Sequence, residues 1–379
     1  ISVSSQEVMD EGELDRLVAL VKVLATDRTK EQQLALTTAF IQQDAELAPL
    51  QASLARVAAE LDTLKKAIPT TMVLQELPKP RPTYLQVRGD FLRTSDEVTP
   101  AVPAVLPQLA EVKPNTARLE FAHWLTSAEH PLTARVRVNR IWMRLFGRGL
   151  VETENDFGIQ GTLPSHPELL DWLAVEFRRD DWSQKRLIRL IMNSATYRQS
   201  SSARPDLKSI DSLNLLLAKQ SRIRVEAEIV RDIALTVSGR LTERIGGPSV
   251  YPPQEDGVYA FTQTPKSWRT NKDSNRYRRG MYTYFYRSAP YPMLSTFDVP
   301  KFNATCTARE RSNTPLQSLA ISNSEAMFEL AQAFADRVVA EGSASDEDRL
   351  QFAFRTCFAR PPQAEELMML KQYLEQSRE

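Results

Sequence analysis

The sequence predicts a mainly α chain: a multi-helix domain preceded by an N-terminal, coiled-coil-like helical hairpin and interrupted by a small irregular or β insert rich in aromatic residues. Three observations carry this. Apolar residues recur with helical period from residue 13 to 68, from 116 to 241 and again after 314, and heptad spacing governs residues 40–68. Between 249 and 313 the helical period lapses, and seven of the ten tyrosines fall there. The organisation that follows is an arm at 1–68, a proline-rich strap at 69–113, and a helical domain at 114–379 with its insert at about 249–313.

Leu14, Leu17, Val18, Val21 and Leu24 share one face, which predicts a first amphipathic helix over 13–27. Leu47, Leu50, Leu54, Val57, Leu61, Leu64 and Ile68 then alternate steps of three and four, extended backwards by Gln43 and Phe40. This spacing predicts a long helix with a coiled-coil seam, covered by the first helix folded back or by self-association through 40–68. After Pro69 the chain is dense in proline, including PKPRP at 78–82, so it reads as an extended strap. Tyr84–Leu92 suggests one short strand, with Arg-Gly-Asp at 88–90 in a turn rather than as an adhesion signal.

A helix is expected at 116–127, and another from Pro131, a favoured first helical residue, to Phe146, stopped by Gly147. Ser165 and Glu168 have capping-box spacing ahead of Leu169, Leu170, Leu173 and Phe177. Ser183 is placed to cap a helix that turns Leu187, Leu190 and Ile191 inward. Val225, Ile229, Ile233, Val237 and Leu241 step by four along a longer helix ending at Gly246. Gly280–Arg287 alternates as a half-buried strand. Helices resume at Pro315, at Ser324–Ala340, at 346–358 and at 363–377.

Composition excludes some function classes. The 48 basic and 48 acidic residues cancel, so no overall field recruits nucleic acid or anionic lipid, and an anion site has to be local. No run approaches the ~18 apolar residues of a membrane span. The chain begins at Ile1 without Met or a signal peptide, which suggests a processed product or a piece of a longer polypeptide. Cys306 and Cys357 lie in no CxxC or CxxCH pattern, so neither zinc nor covalent haem is expected in this chain; they read as buried thiols or as one disulfide. The three histidines form no HxxxH or HxxH pair, and no metal site is expected.

The candidate sites are therefore anion and stacking sites. Arg137, Arg140 and Arg144 share one side of their helix, with Arg148 just beyond, and such a row grips carboxylate, phosphate or sulfate unless Glu152, Glu154 and Asp156 neutralise it. Asn139 and Trp142 lie on the same helix and make a polar pocket conceivable. His166 sits in a first helical turn as a cap or a ligand. In the insert, Trp268, Tyr282, Tyr284 and Tyr286 alternate with cations such as Arg279, a pattern that suits stacking on sugars or covering a partner, or else forms the insert's own core. Arg309, Arg311, Asn313 and Gln317 crowd a loop that runs into a proline-initiated helix, an anion-friendly place. No nucleophile triad, phosphate loop or paired-carboxylate cleft is visible, so catalysis is left open.

The strings PTTMVLQELPKPRPTYLQVRGDFL, PLTARVRVNRIWMRLFGRGLVETENDFGIQGTLPSHPELLDWLA, WSQKRLIRLIMNSATYRQSS, YRRGMYTYFYRSAPYPMLSTFDVP and CTARERSNTPLQSLAISN together resemble the C-terminal domain of unknown function of large planctomycete cytochrome-associated proteins. The resemblance covers roughly residues 69–360. It implies an exported, extracytoplasmic or periplasmic, multidomain protein with no established reaction for this domain. Any haem would sit on an upstream domain or a partner chain, and the partners would be other domains or chains of the same assembly, a c-type cytochrome among them. Relatives often carry histidine where this chain has Met143, Arg144 and Leu145, so a haem-ligand role does not transfer to this helix. The expected function is a partner- or ligand-binding module, with an enzyme acting on an extracytoplasmic polysaccharide and a plain scaffold as the alternatives.

Overall fold

The structure, a computed structural model, describes residues 11–79, 81–109, 117–260, 262, 264 and 266–378. It is mainly α, with 13 α-helices and one two-stranded antiparallel sheet among the described residues. Two compact units divide it, Ile1–Val98 and Thr99–Glu379.

In the first unit α1 (Glu11–Val21) packs against α2 (Lys30–Gln43). Thr29 and Gln32 close a reciprocal capping box at the start of α2, with Gln32 N–H donating to Thr29 Oγ1 at 3.3 Å and Thr29 N–H to Gln32 Oε1 at 3.0 Å. The expected continuous helix over 40–68 breaks before α3 (Ala48–Ala67). Pro49 has no N–H and its ring would strike the carbonyl of residue 45, so the helix can restart at Pro49 but not run through it. Asp44 is extended, and its carboxylate accepts the Glu46 N–H at 2.9 Å. The partner of α1 is thus α2, and the seam of α3 is left largely exposed.

The strap's single expected strand is a hairpin. β1 (Thr83–Gln86) pairs antiparallel with β2 (Thr94–Val98), Thr83 opposite Val98 and Gln86 opposite Thr94, with an irregularity between Tyr84 and Gln86. Arg88 takes a left-handed φ of 54° in the 3₁₀ turn at 87–89, so Arg-Gly-Asp does lie in the turn.

The second unit begins with α4 (Ala117–Thr126), α5 (Thr133–Phe146), α6 (Pro167–Arg179), α7 (Gln184–Met192) and α8 (Ala227–Val237). After the insert come the short α9 (Pro292–Thr296), then α10 (Pro315–Asn323), α11 (Glu325–Glu341), α12 (Asp346–Phe358) and α13 (Ala364–Gln376). Its main core joins Val138, Ile141, Trp142 and Phe146 of α5 to Leu170, Leu173 and Phe177 of α6 and Leu187 and Ile191 of α7. Apolar residues three and four apart on each helix make this seam, as their period requires. A second cluster sets Ala227 of α8 against Tyr291, Met293, Leu294 and Phe297. No helix is long and apolar enough to cross a membrane among the described residues.

Several local expectations are corrected. Helix α5 starts at Thr133 rather than Pro131, because buried His130 turns Nδ1 onto the backbone N–H groups of Leu132 and Thr133, at 3.3 and 3.2 Å. The ring lies edge-on to Trp124, 4.5 Å between centroids, and burial lowers its pKa, which favours the neutral acceptor such a cap requires. At α6 the Ser165–Glu168 box does not form: His166 is the N-cap residue, and the Ser165 hydroxyl lies 3.0 Å from His166 Nδ1. Ser183 occupies the N-cap of α7 without a side-chain cap bond, and Leu190 is exposed. On α8 the step-of-four stripe Val225, Ile229 and Ile233 faces outward, while Ala227, Arg231 and Leu235 are buried.

The strand expected over 280–287 is not present. Gly280–Tyr282 is a 3₁₀ turn, and only the isolated bridges Val250–Thr283 and Tyr286–Ala289 remain of the alternation. Gly280 is pressed on α8, where a Cβ would come within 2.6 Å of the Glu228 carbonyl oxygen, and its N–H donates to Asp232 Oδ1 at 2.6 Å. Cys306 and Cys357 are free and exposed, so they are neither a disulfide nor a buried pair.

Candidate functional site

The arginine row of α5 and the loop at 298–312 meet at a pocket of about 320 Å³. Helix α5 contributes Arg137, Arg140, Ile141, Arg144 and Leu145, helix α7 contributes Gln184 and Ile188, and the loop contributes Thr305, Cys306 and Thr307. Each guanidinium is held differently. Arg137 donates to Gln184 Oε1 at 2.6 Å, and Arg144 pairs with Glu226 at 2.9 Å. Arg140 has its Nε buried with no hydrogen-bond partner, and no carboxylate lies within ion-pair distance of it or of Arg137 among the described residues. Glu152 pairs with Arg148 instead. Glu154 accepts from the Thr307 hydroxyl at 3.2 Å, and Asp156 from the Gly158 N–H at 2.8 Å. Of the acidic residues that were to neutralise the row, Glu152 does so at Arg148, while Glu154 and Asp156 bond to Thr307 and Gly158.

Arg140 also lines a neighbouring cavity of about 300 Å³ with His130, Leu132, Thr133, Val136 and Arg137. The first turn of α7 adds a helix N-terminus to the main pocket through Gln184, and the Ser183 side chain makes no cap bond there. The walls therefore carry three guanidiniums, two threonine hydroxyls, one thiol and the apolar side chains of Ile141, Leu145 and Ile188. Such a lining is chemically complementary to a small anionic group with an apolar body.

The loop is held closed at its base. Asp298, at a left-handed φ of 61°, accepts the Ser312 N–H at 2.8 Å and the Ser312 hydroxyl at 2.9 Å, and forms an ion pair with Arg224. Burial works to raise the Asp298 pKa, but the Ser312 bonds and the Arg224 charge outweigh it, and the pKa is lowered. Gln317, buried on α10, donates Nε2 to the carbonyls of Thr296 and Ser312 at 3.1 and 3.2 Å, and so ties both ends of the loop together. Arg309 bridges Glu226 at 3.1 Å and Glu228 at 2.6 Å. Burial opposes its charge, yet those carboxylates raise its pKa.

Arg311, like Arg140, has a buried Nε without a partner, and its Nη1 lies 3.8 Å from where a Cβ on Gly147 would stand. Gly147 closes α5 at φ 85°, and that same Cβ would fall 2.5 Å from Ile223 Cγ2. Asn139, fully buried, is a backbone staple: Nδ2 donates to the Val151 carbonyl and Oδ1 accepts the Val151 N–H, both at 2.9 Å. It and Trp142 are buried, and neither lines this pocket.

The fold brings Arg144 and Arg309 together at Glu226 and sets Arg140 beside Arg144 in the pocket, whereas His166 does not line that pocket. Asn313 is exposed on the far side of Ser312 in sequence. The insert's aromatics largely face one another. Tyr284 stacks on Tyr251 with 4.8 Å between centroids, Trp268 stacks on Tyr291 at 5.6 Å, and Tyr286 meets Tyr259 and Tyr284 edge-on. The Tyr282 ring lies under Arg278 at 3.8 Å, and its hydroxyl accepts the Gly246 N–H. Arg279 pairs with Asp232 at 2.8 Å. A cavity of about 460 Å³ opens at Tyr259 and Trp268, lined also by Glu255, Asp256, Lys266 and Thr270. No group of three or more His, Cys, Asp or Glu side chains is arranged to hold a metal ion among the described residues.

Sequence reasoning missed Thr305 and Thr307 as lining residues, Asp298 and Arg224 as the loop clamp, and His130 as a cap. For Asp298, Thr305 and Thr307 the sequence signal was the density of polar residues after Phe297.

No curated protein and no solved structure matches this chain. A family model does match, over residues 117–374 and so over most of the chain: PSD1, a protein of unknown function (DUF1553). The pocket, its clamp and the aromatic insert all fall inside that span, and the chain belongs to the PSD1 family of proteins of unknown function.

Proposed function

We propose that this domain is an anion-binding module that recognises an acidic group presented by another domain or chain of an exported, cytochrome-associated assembly. One observation carries the reading: Arg140 lines a pocket whose walls, among the described residues, hold three guanidiniums and no carboxylate. A charge-assisted hydrogen bond from one of these guanidiniums to a bound oxyanion is worth about 1.5–3 kcal/mol. The apolar flank of Ile141, Leu145 and Ile188 favours an organic anion, such as a side-chain or terminal carboxylate, over a free inorganic ion. In this reading any haem belongs to the partner domain or chain, and this chain supplies the docking arginines.

Calorimetric titration with succinate, sulfate and phosphate at low salt tests it. Wild type binds at least one of them, and Arg140→Ala weakens that binding about tenfold or more, the loss of one charge-assisted hydrogen bond. Equal affinity in the two proteins overturns the reading. A glycan reading is favoured by one observation alone, the cavity where Tyr259 and Trp268 stand beside Glu255 and Asp256. Trp268→Ala would then abolish retention on immobilised glycans while leaving anion binding intact.

A further inference from the structure

The seam of α3 is apolar and regular, and largely exposed among the described residues. In heptad notation Leu47, Leu54, Leu61 and Ile68 fall at one core position and Leu50, Val57 and Leu64 at the other. Within its own unit α1 packs on α2, and α3 keeps Leu54 75%, Val57 55% and Leu64 64% exposed. A seam repeating every 3.5 residues fits a partner helix of the same period, and the residues beside it name which one. Glu60 occupies a g position and Lys65 the following e position. In a parallel, in-register pair, g of one helix faces e of the next heptad on the other, so Glu60 meets Lys65 of a second copy, twice by symmetry. Arg56, Asp62 and Lys66 lie off the seam, where Arg56–Glu60 and Asp62–Lys66 pair within the helix. The 20 residues of α3 span about 30 Å.

We propose that α3 is a homodimerisation helix, pairing parallel and in register with α3 of a second copy of this chain. The seam supplies the contact, and the reciprocal Glu60–Lys65 pairs choose orientation and register. This does not depend on the anion pocket, since the seam lies in the other compact unit.

Sedimentation equilibrium of the whole chain at micromolar concentrations tests it. The expected result is a reversible dimer, converted to monomer by Leu54→Asp with Leu61→Asp while the helical content of residues 99–379 persists. Glu60→Lys or Lys65→Glu alone weakens the dimer roughly threefold or more, and the double reversal restores it. With Cys306→Ser and Cys357→Ser as background, Leu64→Cys oxidises to a disulfide-linked dimer, because in-register copies meet at that position. A monomeric wild type, a dimer indifferent to the two aspartates, or a double reversal that fails to restore pairing overturns the proposal. So does a dimer that Leu64→Cys cannot cross-link, which would mean antiparallel pairing.

Discussion

The insert and the α5 pocket are both crowded with arginine beside aromatic or apolar side chains, yet they use the cation in opposite ways. In the insert, Arg278 is fully buried, stacks on Tyr282 and donates to the carbonyls of Pro248, Arg244 and Gly246. Arg276 grips Glu329 with two nitrogens, at 2.5–3.0 Å, and Tyr277 donates to the same carboxylate at 2.6 Å. These guanidiniums replace the strands and helices that the insert lacks. In the pocket, Arg137 has only an amide as side-chain partner, and Arg140 keeps its buried Nε unmet. Density of charge does not distinguish the two regions, and neither does an unpartnered Nε, which Arg278 shares with Arg140; Arg278 spends its terminal nitrogens on three carbonyls, whereas Arg140 has no ion-pair partner among the described residues.

The largest expected effect lies in the insert. Arg276→Ala leaves Glu329 and Tyr277 partly buried without their cation, so it should destabilise the second unit by about 2–3 kcal/mol in urea melts. Burial works to raise the Glu329 pKa, and the bonds from Arg276 and Tyr277 lower it overall. A loss below ~0.5 kcal/mol would dissolve the contrast with the pocket.

Next comes the turn that joins α5 to the loop side of the pocket. Gly147→Ala combines a left-handed φ with a methyl 2.5 Å from Ile223, at a cost of about 1–3 kcal/mol. Adding Ile223→Ala should recover the steric part and leave the backbone part, which a double-mutant denaturation cycle separates.

Much of this was legible in the sequence, for a physical reason. A helix that closes a core on its own period, such as α6, reveals itself through Leu170, Leu173 and Phe177. Gly147 was readable because only a residue without Cβ takes that cap easily. The α8 stripe misled because burial followed small size and hydrogen bonding: Ala227 fits under Tyr291, and buried Arg231 donates to the Arg276 carbonyl at 2.7 Å. Hydrophobic period cannot anticipate a buried guanidinium. Likewise the alternation at 280–287 came from tyrosines that pack on other rings, not from a ladder. In the site, the spacing of Arg137, Arg140 and Arg144 was visible, but Thr305–Thr307 reach it across more than 150 residues of chain, and no local pattern encodes that meeting.

The clamp links the two regions and gives a smaller, pH-dependent effect. Asp298 has a lowered folded-state pKa, so its contribution is fully present above the unfolded value of ~3.9 and is lost as pH falls through the lower, folded value. Wild-type loop amides at 299–311 should therefore lose hydrogen-exchange protection only in that acid range. Asp298→Asn should show reduced protection already at pH 7, flat with pH, and weaker anion binding. A wild-type loop equally open at pH 7 and in acid would remove the clamp from the account of the site.

The smallest expected stability change belongs to Arg140, and its sign is what separates a ligand arginine from a structural one. A guanidinium spent on internal partners is missed when removed, as at Arg276. One held with a buried, unpartnered Nε carries a desolvation cost with no bond to offset it. Arg140→Met keeps the apolar stem against α5 and deletes that cost, so the ligand-free protein should be unchanged or more stable by up to ~1 kcal/mol. Anion affinity should fall in the same variant. If thermal melts instead show Arg140→Met losing 2 kcal/mol or more, then Arg140 holds the fold as the insert arginines do, and the pocket loses its distinguishing feature.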